Sequence, residues 1–266
     1  MTLLEILILA VVQGVTEFLP VSSSGHLVVA DALLKELGFG AAPDLLSVNI
    51  VLHLGTLMAV LIFYWREILR LLGTDRRVIG LLIVGTLPAV LIGLPLKLYF
   101  KELLESPLLA GFMFPITAVI LIWASRRPEG TLPYTQLSFP RALMVGIFQA
   151  FALLPGVSRS GSTIAGGLGV GLDRRSAGTF AFLLAIPAIG GAGILEVREL
   201  LHKASTSATQ VAPLHLLVGA VVSCIVGFGA LSLLIRWVQQ GRLAVFAWYL
   251  VPLGVAVVAW QLGVFG

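Results

Sequence analysis

Six stretches of this chain are each long and apolar enough to cross a bilayer, which removes most of the folds open to 266 residues. They run roughly over 45–64, 78–97, 107–125, 176–195, 214–235 and 244–263. A spanning helix needs about 20 mostly apolar residues, because the hydrocarbon core is about 30 Å thick and a helix rises about 1.5 Å per residue. Pro88, Pro95 and Pro187 fall inside these segments, where neighbouring helices can satisfy the freed carbonyls. Only 11% of residues are charged and 58% are hydrophobic, against about 25% charged in soluble domains. That balance excludes a water-soluble enzyme, a disordered chain and a coiled coil. The sequence pI near 9.6 reflects a formal net charge of only +4. No basic patch is interleaved with exposed aromatics, so nucleic acid is not an expected partner. Cys224 is the single cysteine, which excludes an intrachain disulfide framework and a cysteine zinc site. The expectation is an all-α integral membrane protein.

Two further apolar segments are too short to span. Residues 6–19 contain Gln13 and Glu17 and stop at Pro20; residues 142–154 contain Gln149 and stop at Pro155. Each reaches only about 20 Å. Each leads into a turn rich in Ser and Gly, 21–26 and 156–163, and resumes as a second short apolar stretch, 27–37 and 164–172. Helix, polar turn and helix with half-length arms predict two re-entrant hairpins, whose turns need protein or a wet cavity around them. At a common offset of 136, Gln13 matches Gln149, Ser22 matches Ser158, Ser24 matches Ser160 and Gly25 matches Gly161. Three full spans follow each hairpin. One membrane domain over 1–266 is thus expected to divide into halves of about 1–130 and 131–266. An odd number of crossings per half sets the halves in opposite orientation, an inverted-topology repeat.

Charge gives an independent reading of orientation. Eleven arginines (66, 70, 76, 77, 126, 127, 141, 174, 175, 236 and 242) fall in one set of loops, against Lys35, Lys97, Lys101, Arg198 and Lys203 in the other. The positive-inside rule puts the first set in the cytoplasm. Both termini and the first hairpin then face outward, and the second hairpin enters from the cytoplasm. Residues 1–5 lack the positive region of a secretion signal, so the first apolar segment is expected to stay in the protein.

Glu17 and Arg159 are the two charges this topology places inside apolar sequence. Such charges cost about 2.5–3.5 kcal/mol on insertion scales and are functional candidates; the plainer reading is an ion pair between the hairpins. Gln13 and Glu17, at i and i+4, share one helix face. Ser22, Ser23, Ser24 and His26 follow closely, so a carboxylate, hydroxyls and an imidazole meet as an acid/base or nucleophilic centre would require. At least one of these serines is also expected to cap the next helix. The turn Pro155-Gly156-Val157-Ser158-Arg159-Ser160-Gly161-Ser162-Thr163 suits an anion: its backbone N–H groups converge at a helix start, and Arg159 offers a planar fork for two phosphate oxygens. Asn49 and His53 are expected to hydrogen-bond between helices, and the glycine runs at 166–169 and 190–193 to permit close packing.

Residues 13–26 and 155–163 together resemble the two signatures of the undecaprenyl-diphosphate phosphatase, or bacitracin-resistance, family, and the resemblance extends along nearly the whole chain. It implies six transmembrane helices plus two re-entrant hairpins, and removal of the terminal phosphate of undecaprenyl diphosphate to give the monophosphate carrier used for peptidoglycan. It also implies a site open to the outer face of the bacterial plasma membrane and a divalent cation, Mg2+ or Ca2+. The catalytic set under this resemblance is Glu17, Ser23, His26 and Arg159, with Gln13, Ser22, Ser24, Ser158, Ser160, Gly161 and Thr163 binding substrate. Ser23 would attack with His26 as its base, His26 would attack directly, or a water would do so. Glu17 would orient His26 or hold the cation. Gln13 stands where some members carry a glutamate, and an amide is a poorer ligand for a hard cation. A carrier of phosphate or lipid phosphate is the competing class, since inverted repeats with broken helices are a transporter architecture. The type 2 phosphatidic acid phosphatase pattern is rejected, because no histidine follows Arg159 until His202. Small-residue helix faces are compatible with a homodimer as well as with internal packing.

Overall fold

A computed structural model describes residues 2–37, 45–204 and 212–264. The side chains of residues 34, 45–47, 196 and 198–204 lie outside that description, and with them Arg198 and Lys203 of the charge census. Among the described residues the chain is helical throughout: α1 (Leu3–Phe18), α2 (Ser23–Glu36), α3 (Leu45–Phe63), α4 (Trp65–Leu72), α5 (Arg76–Tyr99) and α6 (Lys101–Leu104). There follow α7 (Pro107–Ser125), α8 (Phe139–Phe151), α9 (Arg159–Gly169), α10 (Arg174–Ala204), α11 (Pro213–Gln239) and α12 (Ala247–Gln261). Five of these, α12 counted with the 3-10 turn before it, are long and apolar enough to cross a membrane by length and composition. The sixth expected span is one arm of a bent pair, α3 and α4, which meet at 73°. Four shorter helices, α1, α2, α8 and α9, occupy the two segments expected to form hairpins.

Local chemistry sets where the hairpin arms begin and end. Thr2 and Glu5 cap α1 reciprocally: the Glu5 backbone N–H donates to Thr2 Oγ1 at 3.3 Å, and the Thr2 N–H donates to Glu5 Oε2 at 2.9 Å. Pro20 stops this helix, because the residue before a proline avoids the helical region; Leu19 is extended at φ −59°, ψ 144°. Ser22 opens α2 by accepting from the Gly25 N–H at 3.3 Å, and Ser158 opens α9 by accepting from the Gly161 N–H at 3.1 Å. The two caps are the same device at the same spacing.

Packing brings the arms to the middle of the bundle. α1 lies against α11 and α3, α8 against α5, and α12 against α7, while α9 contacts α7, α8 and α10. Small residues let these backbones approach; a Cβ on Gly25 would stand 2.6 Å from the Gly156 nitrogen, so the two turns touch back to back. The main buried cluster joins Phe18, Phe114, Leu121, Phe180, Phe182 and Leu231 around them. Large apolar side chains also cover the outside, among them Leu4, Ile83, Leu91, Val119 and Ile225, the surface expected of a protein solvated by lipid.

Candidate active site

Glu17 lies one residue before the end of α1 and is 8% exposed. Four side chains converge on its carboxylate. Arg159, the first residue of α9, donates from Nη2 to Oε1 at 2.5 Å. Gln13, one turn earlier, donates from Nε2 to Oε2 at 3.1 Å, and Ser23 Oγ donates to the same oxygen at 3.1 Å. His53 of α3 sets Nε2 3.7 Å from Oε2; its Nδ1 donates to the Asn49 carbonyl at 2.8 Å. The Glu17–Arg159 pair therefore ties the first hairpin to the second, and its burial is tolerable because both partners are hydrogen-bonded. Nη1 of Arg159 is buried with no hydrogen-bond partner among the described residues.

A polar cleft of about 40 Å³ opens over this pair. Glu17, Ser22, Ser23 and Ser24 line it from the first hairpin, and Ser158, Arg159 and Ser160 from the second, with Thr16, Ala152 and Val157 at its edge. The remaining expected site residues are spent differently. Ser22 Oγ accepts from the backbone N–H of Gly156 at 3.1 Å as well as from Gly25, so it clasps one turn to the other. To do so it adopts φ 69°, a region costing a non-glycine residue about 1–3 kcal/mol. Ser158 and Ser160 hydroxyls pair at 3.2 Å, and Ser160 Oγ donates to the Leu19 carbonyl at 3.4 Å. The N–H of Gly161 is used by its cap, and Thr163 Oγ1 donates to the Arg159 carbonyl at 2.8 Å. Gly161 and Thr163 thus shape the turn from within the helix rather than lining the cleft.

His26 also departs from the expected geometry. A carbonyl oxygen only accepts, so its Nδ1–H donates to the Ser22 carbonyl at 2.7 Å. Nε2 meets Tyr249 Oη of α12 at 2.7 Å, with the two rings stacked 10° from parallel. Both ring nitrogens are engaged, and the hydroxyl proton of Ser23 faces Glu17, not His26.

Three contributors went unread in the sequence. His53 is expected from sequence to hydrogen-bond between helices, but nothing along the chain identifies Glu17 as the group it faces. Thr117, an isolated hydroxyl in an apolar span, donates to the Gly156 carbonyl at 2.8 Å and accepts from the Ser158 N–H at 3.1 Å, pinning the second turn to α7. Tyr249 lies in an apolar span, where nothing along the chain ties it to His26.

A resident divalent cation does not fit these residues. Among the described residues no group of three His, Cys, Asp or Glu side chains could hold a metal, and both oxygens of Glu17 already accept from N–H and O–H donors. Ca2+ asks for about 6–8 oxygen ligands, and Mg2+ for an octahedron of them.

The helices and this cleft define a multi-pass membrane protein with a polar cleft between two helical turns. Residues 6–256 match the family described as Bacitracin resistance protein BacA, and the chain belongs to that family. It is 50% identical over 256 residues to the undecaprenyl-diphosphatase of Rhodopirellula baltica, covering 96% of this chain and 97% of that protein. The undecaprenyl-diphosphatase of Methanosphaera stadtmanae is 36% identical, with 95% and 96% covered, and undecaprenyl-diphosphatase 4 of Bacillus thuringiensis is 37% identical, with 98% of each covered.

Proposed function

We propose that this chain hydrolyses undecaprenyl diphosphate to undecaprenyl phosphate and inorganic phosphate. The observation that carries the chemistry is the three-way contact at Glu17, which accepts the Ser23 hydroxyl on one oxygen and holds Arg159 on the other. In this reading the unpartnered Nη1 of Arg159 and the start of α9 take oxygens of the terminal phosphate. Ser23 Oγ attacks the terminal phosphorus, and its proton passes to Glu17 Oε2 and on to the bridging oxygen as the bond to that oxygen breaks. A water then attacks the phosphoserine; its proton returns through Glu17 to Ser23 Oγ as inorganic phosphate leaves. His26 steadies the turn from behind, between the Ser22 carbonyl and Tyr249. No step is routed through a divalent cation.

The same proposal places one domain of six spans and two re-entrant hairpins in the bacterial plasma membrane, with both termini and the cleft facing outward. Two features support an inverted repeat. The first arm of each hairpin packs on the second span of the opposite half, α1 on α11 and α8 on α5. The Ser22–Gly25 and Ser158–Gly161 caps also repeat at the offset of 136.

The test is phosphate release from undecaprenyl diphosphate by protein purified in detergent, beside Ser23→Ala. The variant should lose roughly a hundredfold or more, and brief turnover should leave a trapped phosphoserine in the wild type alone. Near-normal release by the variant would move the attack to a water activated by Glu17. No release by folded wild type would favour the carrier, which needs Arg159 but not the Ser23 hydroxyl.

A further inference from the structure

We infer that Glu17 binds no divalent cation in the free protein, that any Mg2+ or Ca2+ used in turnover enters already coordinated to the substrate's diphosphate, and that Gln13 is the residue that sets this. The second clause rests on the phosphatase reading above; the first and third do not.

A carboxylate offers about four lone-pair positions. Here Arg159 Nη2 takes one on Oε1, while Gln13 Nε2 and Ser23 Oγ take those on Oε2, with His53 Nε2 standing 3.7 Å away. A cation at Glu17 would have to displace these donors and sit beside the Arg159 guanidinium, a like charge at a largely buried site where repulsion is strong. The donor set around Glu17 is arranged for an anion. A diphosphate reverses that balance, since it brings negative charge and oxygen ligands together, and a cation travelling on it needs none from the protein.

Gln13 is decisive because it is the neighbour with a natural charged counterpart of the same shape. It is 4% exposed and one turn from Glu17 on the same face. Glutamate there removes a donor from Oε2, puts an oxygen ligand in place of the amide nitrogen and leaves two buried carboxylates side by side. Such a pair is relieved by a proton or a cation.

Calorimetric titration of MgCl2 and CaCl2 into the full chain in detergent, with no lipid substrate, tests the binding. Wild type should show no saturable heat into the millimolar range. Gln13→Glu should show one saturable site, at least about tenfold tighter, which adding Glu17→Gln abolishes. Saturable wild-type binding lost in Glu17→Gln would overturn the inference. So would a Gln13→Glu protein with wild-type thermal unfolding that gains no site; Gln13→Asp serves if Gln13→Glu does not fold. For the second clause, the Mg2+ midpoint of phosphate release should move with the lipid diphosphate concentration, and a fixed midpoint would overturn it. Absence of phosphate release altogether would remove the phosphatase reading and leave the calorimetric result standing.

Discussion

Glu17 and Arg159 both sit where the helix backbone works against them. Glu17 is in the last turn of α1, at the negative end of that helix, and Arg159 is the first residue of α9, at the positive end. Each is held by the other and by the polar ring around them, an arrangement that makes sense when an incoming anion is to share the guanidinium. The shape of that guanidinium matters as much as its charge, because one nitrogen holds Glu17 while the second stays free. Arg159→Lys keeps the charge and loses the fork. We expect phosphate release to fall roughly a hundredfold while thermal unfolding in detergent shifts little; an equal loss of both would make Arg159 a purely structural partner. At this scale Glu17, Ser23 and Arg159 were legible, because charges and hydroxyls inside apolar sequence stand out. His53 and Tyr249 were not, because their meaning lies in contacts with residues far along the chain that no periodicity reports.

Among the elements, the two turns carry the design. Their approximate lengths, the stop at Pro20 and the serine caps were readable from local rules, whereas α8 ends at Phe151, four residues before the Pro155 expected to stop it. The bend between α3 and α4 was not readable, since no proline or glycine marks it; Gly241, at φ 71°, marks the turn before α12 but not its 3-10 form. An ion pair between the hairpins was among the readings of the sequence, but the close backbone approach of the turns was hidden, and its consequence is easily tested. A methyl group on Gly25 would collide with the backbone of Gly156 and the ring of Phe114. Overpacking of this kind costs about 1–3 kcal/mol. Gly25→Ala should therefore lower the unfolding temperature measurably in detergent and depress phosphate release, because Ser22 and Ser23 move with the turn. Unchanged stability and activity would show that the turns do not bear on one another.

For the whole molecule, the bilayer decided what could be read. Apolar spans were visible because lipid demands them, and orientation was inferred from arginine placement alone. Glu105 and Glu129 are both exposed and lie in loops assigned to opposite sides. In a Cys224→Ala background on intact cells, a membrane-impermeant maleimide should label Glu105→Cys and spare Glu129→Cys until the membrane is opened. The reverse pattern would invert the topology and place the cleft on the cytoplasmic side. The joining of the hairpins also has a consequence for biosynthesis. Glu17 precedes its counter-ion by 142 residues. At a synthesis rate of about 5–20 residues per second, a nascent chain waits on the order of ten seconds before Arg159 exists. Throughout that interval the carboxyl group must be kept neutral, wet or sheltered, so the Glu17–Arg159 pair can close only late in the synthesis of the protein.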